Sequence, residues 1–83
     1  MNISSAVKFL KKMAEMDLDC GADPSLLSLK FFLVSPTKCF LTYCIDGRSK
    51  ATATIQTSQT ISNPTLFAVE LEKAVGIEID EIC

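Results

Sequence analysis

The chain has no histidine and no tryptophan, only three glycines and three prolines, and no apolar run longer than four residues. Each shortage removes a class of function. Without an imidazole there is no ready base to activate a thiol or hydroxyl, and no histidine metal ligand. The glycines, Gly21, Gly47 and Gly76, stand singly at expected turns or helix ends, so a glycine-rich phosphate loop is excluded. A membrane helix needs about 18 consecutive apolar residues, whereas the run Phe31–Val34 is four. The segment Met1–Leu10 lacks the apolar stretch and small-residue cleavage site of a secretory leader. A cytoplasmic setting with reduced thiols is therefore expected.

Chemistry is equally sparse among the residues that are present. Cys20, Cys39, Cys44 and Cys83 contain no C-x-x-C pair, so the knuckle of a structural zinc site is missing. Asp17, Asp19 and Asp23 lack the further oxygen ligands and closing glutamate of a calcium loop. Glu70 and Glu72 lie two apart on a predicted helix and do not face each other, which argues against paired-carboxylate catalysis. No catalytic residue, cofactor, metal or small-molecule substrate is inferred, and the protein is not expected to be an enzyme.

What remains is a globular composition: 83 residues, 48% hydrophobic and 22% charged, enough for a single domain over 1–83. The net charge of −2 is unevenly spread. Residues 27–57 carry four basic residues and one acid, while residues 58–83 carry one lysine and five acids.

Ile3, Val7, Leu10, Ala14 and Leu18 share one helical stripe, which predicts a helix over about 3–18. Gly21 and Pro24 end it. Strands are predicted over about 27–35, 38–45 and 48–57, separated by Pro36-Thr37 and Asp46-Gly47; Asp-Gly between alternating residues is a strong hairpin signal. A second helix over about 63–75 is capped by Ser62 or Asn63, has Pro64 in its first turn and stops at Gly76. Ile61 is expected to staple onto Leu66, and Phe67, Leu71, Ala74 and Val75 form the expected buried stripe. The tail 77–83 reads equally well as an edge strand or as one helical turn. The fold class is α+β: a two-layer domain of order αβββα, with a three-stranded antiparallel sheet and both helices on one face.

Two-residue loops set an expected register. Ile45 would face Arg48, Tyr43 would face Lys50 and Leu41 would face Thr52; in the first hairpin Val34 would meet Cys39 and Phe32 would meet Leu41. With side chains alternating, Leu29, Phe31, Leu33, Phe40, Thr42, Cys44, Ala51, Ala53 and Ile55 form the core face. The opposite face then has Phe32, Val34, Leu41 and Tyr43 at an apolar centre, with Lys30, Arg48 and Lys50 as a basic rim.

Helix, three strands, helix is similar to the element order of double-stranded-RNA-binding domains. In that family a lysine cluster at the start of the second helix, and the loop between the first two strands, hold RNA phosphates. Here that helix start reads Asn63-Pro64-Thr65-Leu66, the next lysine is Lys73, and the loop is only Ser35–Lys38. The expected function is thus a non-catalytic protein-binding module that uses the open apolar face. It would act as a homodimer, or as an adaptor or phage-type inhibitor that occupies the surface of a larger machine. The alternative is single-stranded nucleic acid on the same face, or RNA in the manner of that family. The other alternative for the face is that the tail folds over it, with Glu78, Asp80 and Glu81 meeting the basic rim.

Overall fold

The computed structural model describes residues 1–83. Helix α1 (Ile3–Asp19) leads through a short 3-10 turn to strands β1 (Leu27–Ser35), β2 (Lys38–Ile45) and β3 (Arg48–Gln56). Helix α2 (Pro64–Val75) and strand β4 (Ile79–Ile82) follow. The class is α+β as expected, but the sheet is mixed and four-stranded, ordered β3-β2-β1-β4, with β4 parallel to β1. No helix is long and apolar enough to cross a membrane.

The tail resolves as a strand rather than a helical turn or a cover over the sheet. Its route is fixed by the end of α2. Gly76 takes a left-handed conformation (φ 82°), and its N–H donates to the Glu72 carbonyl; a side chain there would meet the Cβ penalty. The Glu72 carboxylate then accepts the Ile79 N–H at 2.6 Å. From that point Leu29 donates to the Glu78 carbonyl, and Cys83 donates to the Phe31 carbonyl. The tail therefore satisfies the backbone groups on the outer side of β1.

Both turns between the antiparallel strands form where expected, yet each has an extra residue beside it, before the first turn and after the second. Asp46 and Gly47 have φ of 52° and 76°, the positive pair a type I′ turn requires. Ile45 faces Arg48 and Cys44 faces Ser49, but Tyr43 then faces Ala51, so Lys50 is a bulge. In the first hairpin Ser35 faces Lys38 while Leu33 faces Cys39, leaving Val34 as the second bulge. The expected pairs Val34–Cys39, Phe32–Leu41, Tyr43–Lys50 and Leu41–Thr52 are thus not formed. Two one-residue offsets cancel between β1 and β3 but reverse β2. Leu29, Phe31, Leu33, Ala51, Ala53 and Ile55 stay on the core face; Cys39, Leu41 and Tyr43 join them, and Phe40, Thr42 and Cys44 move to the other side.

Side-chain size accounts for the reversal. Tyr43 lies between Leu29 and Ala51, and Leu41 lies between Phe31 and Ala53. The two alanines leave room for the large residues beside them, so close packing is reached without burying the hydroxyl of Thr42 in the main core. Tyr43 is fully buried, and its own hydroxyl donates to the Asp17 carboxylate of α1 at 2.8 Å.

The helices cover this face alone. In α1 the buried line is Ala6, Leu10 and Ala14, while Ile3 and Leu18 from the expected stripe are exposed. Small residues on either side of Leu10 let α1 approach the sheet and α2 closely, which turns the helix away from the purely hydrophobic stripe. In α2, Asn63 caps the Leu66 N–H, and Ala68, Leu71 and Val75 are buried. Ile61 joins the core instead of stapling to Leu66, which is exposed, as is Ala74.

Because a bulge residue is the extra one, deleting Lys50 should keep Tyr43 opposite Ala51 and leave every facing intact. The deletion variant is expected to fold cooperatively, losing about 1 kcal/mol or less with its exposed ion pair; an unfolded chain by circular dichroism would overturn the assigned register. A second expectation concerns pH. Burial, reinforced by the Asp17 carboxylate, pushes the Tyr43 phenol up, and burial pushes the Cys39 thiol up to about 11. The unfolded chain releases these protons first, so stability should hold below about pH 9 and fall as pH rises above it. Urea unfolding on both sides of that pH should show the fall. Tyr43→Phe should reduce the fall above about pH 10, leaving the part due to Cys39, while costing about 1–2 kcal/mol at neutral pH.

Candidate functional site: the outer sheet face

With both helices on one side, the other face of the sheet has no layer over it. Its side chains come from alternate positions: Lys30 and Phe32 on β1, Phe40 and Thr42 on β2, Thr52 and Thr54 on β3. Phe32 and Phe40 are directly opposite each other on the two central strands, and both are only partly buried. Val34, the bulge residue beside them, is 49% exposed. Away from this apolar end the face turns polar. Thr42 and Thr52 share a hydrogen bond of 3.0 Å between their hydroxyls, and Cys44 is fully buried among the strands.

The structure splits the seven residues predicted to form the site. Lys30 and Phe32 stay on the accessible side, and Val34, unpaired at the bulge, is exposed. Leu41 and Tyr43 are fully buried against the helices, because the bulges at Val34 and Lys50 turn β2 over; neither can serve as a contact. Arg48 is exposed beside the Asp46-Gly47 turn, opposite Ile45. Lys50 reaches toward the helical layer, where its Nζ lies 3.9 Å from the Asp17 carboxylate. The continuous basic rim therefore does not form. Lys30 pairs with Glu81 of β4 at 3.4 Å, and Lys38 is the cation on this face without an ion-pair partner.

Phe40 is the outer-face aromatic that sequence reasoning placed inside. Its signal was present in the neighbours: with Leu41 and Tyr43 inward both Ala53 and Ala51 lie beside large residues, whereas the expected register sets Ala51 beside Thr42, and the observed pairing sends Phe40 out. Glu81 was the other omission, since its place depends on β4 joining the sheet.

No three Cys, Asp or Glu side chains gather as a metal-ligand set. The Cys39 thiol lies in the core, and its raised pKa keeps it protonated near neutral pH. The two phenylalanines supply an apolar patch flanked by hydroxyls and one ion pair.

Substitution should separate the faces. Leu41→Ala removes a fully buried side chain and should cost about 2–5 kcal/mol. Phe32→Ala, from a face with no layer over it, should cost about half as much or less; equal losses by chemical denaturation would mean that Phe32 is core. Comparison with protein-family models, with curated proteins and with solved structures gives no match.

Proposed function

We propose that the protein is a non-catalytic binding module that docks a protein partner on its outer sheet face. Phe32, Phe40 and Val34 form the apolar centre, with Lys30 and Lys38 beside it. The observation that carries this reading is the Phe32–Phe40 pair on the two central strands, with no helix above it. Aromatic side chains grouped in a patch with polar surroundings are the usual anatomy of an interface centre. The partner is a second copy of the chain or a larger protein whose surface the module occupies as adaptor or inhibitor.

Single-stranded nucleic acid is the second reading, favoured by two rings on adjacent strands that can stack on bases. Charge weighs against it. Lys30 and Lys50 are each drawn to a carboxylate, which leaves little of the cation count that phosphate binding requires.

The test compares wild type with a Phe32→Asp/Phe40→Asp double variant, after circular dichroism confirms that both are folded. Light scattering reads self-association, and affinity capture reads a foreign partner. The reading expects a wild-type dimer or a stoichiometric captured protein, lost in the variant and retained as salt rises. Identical behaviour of the two proteins in both measurements would overturn it. Capture abolished by nuclease and falling steeply with salt would transfer the face to nucleic acid.

A further inference from the structure

A different surface of the molecule is distinguished by its lack of charge. Between Lys50 and Glu70 the chain contains no ionisable side chain except the hydroxyl groups of serine and threonine, which stay neutral. The fold lays the latter half of this stretch beside the first turn of α1. Between them runs a groove of about 640 Å³ with ten lining residues, none of them charged. That volume lies within the range of about 300–1,000 Å³ usual for small-ligand sites. Ser4, Gln56, Gln59 and Thr60 form polar walls, and Ile61 and Phe67 contribute apolar surface. A smaller hollow of about 240 Å³ shares Thr60, Ile61 and Phe67 and extends the groove toward Leu66.

The hydrogen-bonding capacity of these walls is largely unspent. Gln56 Nε2 donates to Thr37, and Asn2 Oδ1 accepts the Ser5 N–H. The side chains of Ser4, Gln59 and Thr60 have no partner within the protein, and in the first helical turn the Ile3 and Ser4 N–H groups lack a preceding carbonyl, those of Ser5 and Ala6 being taken by Asn2. Phe67 is held in place from behind by Phe31, with ring centroids 6.1 Å apart and planes at 53°.

Three kinds of ligand fit poorly. A cation would lie against walls without a counter-charge, and an anion would find only the Met1 ammonium beyond the walls, already donating to the Thr54 carbonyl at 2.9 Å. A wholly apolar molecule would strip water from hydroxyls and amides without replacing it. A peptide seeking main-chain pairing would find this end of β3 occupied, since the Gln56 N–H donates to the Met1 carbonyl at 2.9 Å. A neutral, hydroxyl-rich ring with one C–H face meets all the requirements. We propose that this groove binds a neutral saccharide, its ring face on Phe67 and its hydroxyls on Ser4, Gln59 and Thr60. The site is separate from the outer sheet face and stands or falls independently of it.

The test is a titration of the isotope-labelled full chain, followed by amide resonances, with maltotetraose, cellotetraose and chitotetraose in turn. Tetragalacturonate serves as the charged control. At least one neutral tetrasaccharide should shift the amides of Ser4, Gln59, Thr60 and Phe67 in a saturable way, and the control should not. A Gln59→Ala/Thr60→Ala variant changes only exposed side chains, so its remaining spectrum should be preserved while affinity falls about tenfold or more, as for two lost hydrogen bonds. A Phe32→Asp variant should bind as wild type does. No saturable shift at these amides with any neutral probe would overturn the proposal, as would shifts unchanged in the double variant.

Discussion

Which side of β2 faces inward decides the composition of both surfaces of the sheet. Side-chain alternation has a period of two, so an offset of one residue exchanges everything on a strand. Here β2 is set by an offset on each side, at Val34 and at Lys50. The core receives Tyr43 and Leu41 with alanines beside them, and the outer face receives Phe40 across from Phe32. Tyr43 also ties the sheet to α1 through Asp17, so the strand reversal and the seating of the helix are mutually dependent.

The parts legible in the sequence are those governed by local conformation. Asp46-Gly47, Asn63-Pro64 and Gly76 each require a particular backbone geometry that few residues supply, and each lies where its chemistry indicates. The bulges are different in kind. Nothing in Val34 or Lys50 announces an unpaired position; the bulge exists because the volumes of three strands fit together better with it. The candidate face inherited that difficulty, since Lys30 and Phe32 on β1 lie on the side expected of them while Leu41 and Tyr43 on β2 lie on the opposite one. Strand β4 was undecidable for another reason. Four residues containing two isoleucines suit several conformations, and its partner β1 is remote in sequence.

Charge is arranged to finish the sheet rather than to create a field. The basic middle and acidic end of the chain meet locally: Lys30 with Glu81 across β1 and β4, and Lys50 with Asp17 at the helical layer. Pairs of this kind add little stability when exposed. Their larger effect is to remove the one-signed rim that the linear sequence suggests, leaving the outer face defined by its two rings.

The parallel pairing of β4 with β1 also imposes an order of events on folding. Leu29 and Ile79 are 50 positions apart, and β4 cannot dock until α2 has crossed from one edge of the sheet to the other. The antiparallel strands and α1 can assemble earlier from nearer contacts, so the loop that closes last costs the most chain entropy. Until then β1 is an edge, and Leu29 to Val34 offers unpaired backbone groups along an apolar strand, the template on which chains join one another. Glu72, by accepting the Ile79 N–H, holds the start of β4 where its pairing covers this edge. A carboxylate at the end of a helix thereby helps to keep a sheet edge closed, at a distance in sequence from the strand it protects.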